Sequence, residues 1–229
     1  MFVSIAQTQF EIAVTRHRGQ VFLTLRGPET RATPAACPEG EWLGIRFKLG
    51  TFMPRLTPGT LRDRRDVTLP HAAARAFWLN GSAWEYPDFE NADTFVARLA
   101  REGIIARDFA VGAMLERQPA KLPIRSVQRH FVRSTGITHR TVRQIERARY
   151  ATVLLKQGVP ILDTVHQAGY FDQPHLTRSL KTLIGSTPAE ISRGTHQLSF
   201  LYNTAPPPAL YDAHGRSIHD CIGSHRSPG

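Results

Sequence analysis

Two stretches of this chain repeat each other 49 positions apart. Val127-Gln128-Arg129-His130-Phe131 precedes Gly136-Ile137-Thr138, and Leu176-Thr177-Arg178-Ser179-Leu180 precedes Gly185-Ser186-Thr187. In each copy two apolar residues stand at i and i+4 with a polar residue and an Arg between them. A Gly follows five positions after the second apolar residue. That pattern is an amphipathic helix with a glycine stop, written twice. A chain built this way must bury two short helices by one face each and leave a narrow polar, Arg-bearing face on both. Matched helices of this kind are a recurring way to read two turns of DNA from one chain.

The charge balance points the same way. The 229 residues carry a formal net charge of +10, with pI near 10.4. Such a balance favours an anionic partner, either nucleic acid or an acidic membrane surface. Asp108 to Arg193 holds thirteen Lys and Arg against six Asp and Glu, so +7 of the +10 lies in the repeated segment. Cys37 and Cys221 are far apart and lack metal-ligand spacing, which fits free thiols in a reducing compartment rather than a disulfide framework or zinc site. No apolar run approaches membrane-spanning length, and Met1-Phe2-Val3-Ser4 lacks a basic-then-apolar signal pattern. The expected location is cytoplasmic, with no membrane partner.

The first ninety residues read as short strands and loops. Phe10 to Thr15 and Val21 to Leu25 are rich in β-branched or aromatic residues. Trp42 to Phe52 alternates, with Leu43, Ile45, Phe47 and Leu49 on one side and Arg46 and Lys48 on the other. Pro and Gly pairs break these runs, and Thr51 to Arg65 reads as irregular. Many short strands between such turns predict a small β-sandwich or barrel. The period changes near Asn91. Asp93 is expected to cap a helix with Phe95, Val96 and Leu99 on its apolar stripe and Gly103 at its end. It reads as the connection between two parts, and from there to Ile191 the chain reads as almost entirely helical. Ala205-Pro206-Pro207-Pro208 and the Gly/Ser/His/Arg-rich end read as a disordered tail.

Within the helical half, helices are expected at Asp108 to about Arg117, Ile124 to Thr135, Thr141 to Gln157, after Pro160, and after Asp172. In the first repeat helix Ile124, Val127 and Phe131 face inward, while Arg125, Gln128, Arg129 and Arg133 face outward. In the second, Asp172 is the N-cap and Pro174 sits in the first turn, where its missing N–H costs nothing. Leu176, Leu180 and Leu183 face inward. Gln173, Thr177 and Lys181 form one outward row, and Pro174 and Arg178 the next. Arg can bond bidentately to guanine in a major groove and Gln to adenine, while flanking Lys and Arg hold phosphates. The alternative is a plain helical bundle whose Arg residues are solvated. Two matched copies in a basic half favour the DNA reading.

Residues 108 to about 191 resemble the tandem helix-turn-helix domain of AraC/XylS-type transcription regulators. Ser126-Val127-Gln128-Arg129-His130-Phe131 with Ser134-Thr135-Gly136 resembles the first recognition helix. Gln144-Ile145-Glu146-Arg147-Ala148-Arg149 through Leu154-Leu155 resembles the linker helix. Gly158-Val159-Pro160-Ile161, Ala168-Gly169-Tyr170, Asp172-Gln173-Pro174-His175-Leu176-Thr177-Arg178-Ser179-Leu180 and Gly185-Ser186-Thr187-Pro188-Ala189 resemble the second module. The resemblance implies base contacts from Arg125, Gln128 and Arg129 in the first module. In the second it implies them from Gln173, Pro174, Thr177 and Arg178. Arg133 and Lys181 are then expected on phosphates. Pro174 replaces a polar residue often seen there, Pro123 stands where a capping Ser is usual, and the first turn is long and holds Pro119 in place of Gly.

The fold expected is α+β, with an N-terminal β-rich domain (a cupin-like barrel or sandwich) before an all-α tandem helix-turn-helix domain. Residues 1–90 would be the sensor or dimerisation part, 91–107 a helical linker, 108–193 the DNA-binding part and 194–229 a flexible tail. The partner expected is double-stranded DNA. The resemblance leaves room for a small-molecule effector at the N-terminal part, for RNA polymerase and for a homodimer, in a bacterial setting. No cofactor, metal or catalytic residue is expected: there is no G-x-S-x-G elbow, phosphate-cradling Gly loop or H-E-x-x-H. The ten histidines show no ligand spacing, and His17 and His71 could line a barrel but have no evident partner. An alkyltransferase is a third reading, weakened because neither Cys stands in a Pro-Cys-His setting. A small-molecule-binding module, with the β part working and the helices serving association, is the runner-up. Its motive is Trp42, Phe77, Trp78, Trp84 and Tyr86, which read more simply as core aromatics.

Overall fold

The β-branched run before Arg18-Gly19 and the run after it fold into a hairpin because both turn residues take positive φ, 48° and 76°. That is the backbone of a two-residue turn whose twist matches its strands. The hairpin joins β2 (Glu11–His17) to β3 (Gln20–Arg26), with His17 opposite Gln20. In this computed structural model residues 2–35, 40–63, 66–111, 123–194 and 222–225 are described. Before the hairpin stands β1 (Phe2–Ser4). After it come β4 (Thr33–Ala35), β5 (Glu41–Arg46), β6 (Thr51–Phe52), a 3₁₀ turn (Pro58–Leu61), β7 (Val67–Thr68), β8 (His71–Ala73), β9 (Ala76–Leu79) and β10 (Ser82–Glu85). Then follow α1 (Ala92–Arg101), β11 (Ala106–Arg107), α2 (Ile124–Thr135), α3 (His139–Lys156), α4 (Ile161–Gln167), α5 (Gln173–Leu183), α6 (Pro188–Arg193) and β12 (Ile222–His225). A β-rich part thus precedes a helical part, an α+β layout.

The described residues fall into two compact units, each built from separate stretches of chain. One comprises the described parts of Gln9–Pro28, Pro38–Thr138 and Tyr211–Gly229. Its main sheet has the order β12-β5-β2-β3-β7, beside the three-stranded β10-β9-β8 and the pair β11-β6. Alternate residues of the main sheet, Ile12, Val14, Leu23, Leu25, Leu43 and Ile45, meet Phe77, Leu79 and Trp84 in one core. Glu11 is buried at the sheet between two cations, 3.0 Å from Arg46 and 3.6 Å from Arg26. Burying a carboxylate is costly, and these two cations offset part of that cost. α2 belongs to this unit and packs on the 3₁₀ turn and β6.

The other unit comprises the described parts of Met1–Thr8, Glu29–Cys37 and His139–Leu210. α3 is its central post, packed against α4, α5 and α6, with Ile145, Ala148, Leu155, Val165, Leu176, Leu180 and Ile191 buried. The ribbon β1-β4 closes it. Ala6 donates its N–H to the Leu183 carbonyl at 2.8 Å, and Ala32 donates to Thr182 at 2.8 Å. The last carbonyls of a helix have no partner within it, and here residues flanking the ribbon supply two.

Several sequence expectations need correction. Trp42 to Phe52 is not one strand: β5 stops at Arg46, a turn with Gly50 at φ 89° intervenes, and β6 begins at Thr51. Phe47 still turns inward, stacked on Phe10 at 5.2 Å. Asp93 does not cap α1. The helix starts after Asn91, and Asp93 lies in its first turn, where an acid still suits the helix dipole. α1 also closes onto the β core through Ala92, Phe95 and Leu99, and the short β11 follows it within an otherwise mainly helical described stretch. Residues 222–225, read as tail, pair as β12 with β5. The rest of the expected tail after Gly194, both cysteines, Pro119 and most of the expected Asp108–Arg117 helix lie outside the described residues, although 109–111 are helical.

Candidate nucleic-acid interface

α2 begins at Pro123, whose own backbone has the extended geometry of a cap but whose ring can accept no N–H. Val127 and Phe131 are buried beneath it. At its far end Ser134 and Thr135 donate their hydroxyls back to the carbonyls of His130 and Phe131, at 2.8 and 2.7 Å. Gly136 then ends the helix at φ 76°. Arg125, Gln128, Arg129 and Arg133 are all exposed on the remaining face. His130, also exposed, holds Asp108 at 3.1 Å.

α5 is better capped. The Asp172 carboxylate accepts the His175 N–H at 2.7 Å, and Pro174 follows in the first turn. Leu176 and Leu180 are fully buried and Leu183 nearly so, which leaves Gln173, Pro174, Arg178 and Lys181 exposed and Thr177 half-buried. The two copies therefore share one construction: i, i+4 apolar anchors inside, a polar-basic face outside and a left-handed Gly after it. α2 lies in one compact unit and α5 in the other.

Residues outside the repeat fix α5. Tyr170 is buried, its hydroxyl lies 3.0 Å from Ser179 Oγ, and its ring meets His175 edge-on at 5.1 Å. Arg147 of α3 lays its guanidinium over the Tyr170 ring at 4.5 Å and donates to the Gly169 carbonyl at 3.2 Å. Arg147 thus braces the reader and is not itself a base-contact candidate. The end of the module is held by a reciprocal cap: Thr187 N–H donates to Glu190 at 2.7 Å and Glu190 N–H to Thr187 Oγ1 at 3.3 Å. The signal Thr187-Pro188-Ala189-Glu190 was open to sequence reasoning, because Thr three places before Glu at a helix start can satisfy two orphan donors at once. Burial, with the Arg143 charge one turn on, holds the His139 imidazole below its ordinary pKa, and burial does the same to the Lys156 amine.

Residues 119–194 match the family model of a helix-turn-helix domain. This segment is a helix-turn-helix domain of the AraC type. Comparison with curated proteins and with solved structures gave no match. The helix-turn-helix domain supports a DNA-binding transcription regulator. Its α2 and α5 carry every residue expected from the sequence to contact DNA, and all but half-buried Thr177 are exposed.

The remaining candidates fall elsewhere. Phe77, Trp84 and Tyr86 are buried in the β core, Trp42 is half-buried, and Trp78 lies largely exposed. His71 does have a partner, contrary to the sequence reading: Tyr86 Oη lies 2.8 Å from its Nδ1. Among the described residues no three His, Cys, Asp or Glu gather as a metal site would require. No helix among them is long and apolar enough to cross a membrane.

Proposed function

We propose that the regulator reads two adjacent major-groove segments of one duplex, one with α2 and one with α5. The supporting observation is the shared construction of the two helices, with matching anchors buried and matching polar-basic faces free. Arg125, Gln128 and Arg129 contact bases in the first segment, and Gln173, Pro174, Thr177 and Arg178 in the second. Arg133 and Lys181 bind phosphates and set register. Pro174 has no hydrogen to donate and contributes only by packing.

In functional terms residues 1–90 serve sensing or dimerisation, 91–107 join them to the 108–193 reader, and 194–229 are accessory. RNA polymerase, a second copy and a small-molecule effector are partners this organisation allows, in a bacterial cytoplasm. The reading assigns the chain no catalysis.

The test is binding of the full chain to fragments selected from genomic DNA, followed across salt concentrations. Affinity should fall steeply and linearly in log–log form, because counterions released from the DNA gain less entropy in saltier solution. A selected fragment should beat a scrambled one by a factor of about 10³ or more. Binding that ignores salt, or sequence at every salt concentration, would sink the proposal. Protection of one helical turn in place of two would remove one reader.

A further inference from the structure

Phe171 is 90% exposed, the most exposed large apolar side chain among the described residues. It stands directly before the Asp172 cap of α5. Its neighbour Tyr170 turns inward and is tied to Ser179, so the chain is fixed on the buried side and Phe171 is left on the other. The Phe171 N–H reaches His175 Nδ1 at 3.5 Å, which folds its backbone over the first turn of α5. Pro174, exposed in that same turn, is the other apolar group there.

The charge at this corner limits what can meet it. In the first turn of α5 the Asp172 carboxylate already takes the His175 N–H, Pro174 has none, and Leu176 donates to the Asp172 carbonyl. A phosphate brought there would face that negative charge and find the donor taken. The cations of α5, Arg178 and Lys181, stand further along the helix. The N-terminal corner therefore suits an uncharged, apolar part of the duplex. In the major groove that part is the C5 methyl of thymine.

We infer that Phe171, backed by Pro174, is a specificity residue of the second reader that selects thymine through its methyl group. This rests on the reading of α5 as a major-groove helix. It adds apolar discrimination at one or two base pairs beside the step that Arg178 reads by hydrogen bonding.

The experiment uses the full chain and a selected duplex in which each thymine in turn is replaced by deoxyuridine, which lacks only that methyl. The wild-type protein should lose about fourfold in affinity at one thymine, or at two neighbouring ones, as expected for one buried methyl group. F171A should bind the thymine and deoxyuridine duplexes equally. R178A should keep the thymine preference while losing choice at its own base pair. A wild type indifferent to every methyl, or an F171A that still discriminates fully, overturns the inference while R178A still supports α5 as a reader. If F171A and R178A both bind like wild type, α5 does not face DNA, and the proposed function fails with it. Loss of polymerase recruitment by F171A, with DNA discrimination intact, would assign the side chain to a protein partner and overturn the inference too. Phe171→Ser serves as a second variant, and both should melt with the wild type because so little of the side chain is covered.

Discussion

Asp172 and His139 show how single residues govern the second unit. Asp172 satisfies an amide at the start of α5 that has no partner inside the helix. Asp172→Ala should cost about 1 kcal/mol in chemical denaturation, and Asp172→Asn should recover most of it. A neutral result for both would mean that the cap does not hold α5. Arg178→Ala should cost about 1–3 kcal/mol on the preferred site and relax one base position, whereas Lys181→Ala should weaken all sequences alike and reduce the salt slope by about 1. Identical behaviour of the two variants would refute the division into base and phosphate contacts. His139 has a folded-state pKa below its ordinary value of 6.5, from burial and then from Arg143. Between those two values the unfolded chain holds more protons than the folded one, so stability rises with pH through that interval and the penalty is complete below it. His139→Gln should flatten this part of the stability–pH curve, and an unchanged slope would place the proton elsewhere.

At the scale of elements, glycines that look alike in sequence differ in what surrounds them. Gly158 follows α3 at φ 83° with open space where a Cβ would go, so Gly158→Ala should cost only the backbone strain, about 1–2 kcal/mol. Gly185 has φ 83° too, but a Cβ there would come within 2.8 Å of Val3 Cγ1. Gly136 is the tightest, because its Cβ would stand 2.6 Å from the Gly59 nitrogen and 2.7 Å from the Pro58 carbonyl carbon, which are backbone. Melting temperatures should fall in the order Gly158→Ala, Gly185→Ala, Gly136→Ala, the last being the worst. A flat series would mean that the turns alone set these positions.

The sequence made the helices of the reader legible because their signals are local. Ile124 to Thr135 was bounded by Pro and Gly, and Asp172 announced its own helix. The predicted burial of Val127, Phe131, Leu176, Leu180 and Leu183 agrees with the structure because a 3.6-residue period leaves one face for the core. The β part was less legible. Asn80-Gly81, with both φ values positive, is a hairpin signal as plain as Arg18-Gly19, yet the breaks within 42–52 depend on tertiary pairing that alternation does not encode. Nothing in the local pattern around Val3 or Pro58 reveals that each supports a repeat glycine.

For the whole molecule, the compact units cut across the order of the chain. The ribbon β1-β4 belongs with α3 to α6, and α2 belongs with the β core. Removing residues 1–8 should therefore weaken the second reader, although it lies at the other end of the sequence. Amide exchange at the C-terminal turn of α5 should speed up once Leu183 loses Ala6, while α2 keeps its protection. Equal protection in both chains would show that the ribbon adds nothing. A fragment limited to 108–193 lacks the partners of both glycines, and its melting should be lower and broader than that of the full chain.

The bond from Ala6 to Leu183 also sets a timetable. A ribosome adds about 5–20 residues per second, and Ala6 must wait for its acceptor until Leu183 has been added. The turn that supports α2 is finished much closer in time to α2 itself. Two helices that are near copies in sequence thus mature at different moments: the first can settle while the chain is still being made, and the second only after its last turn has left the tunnel.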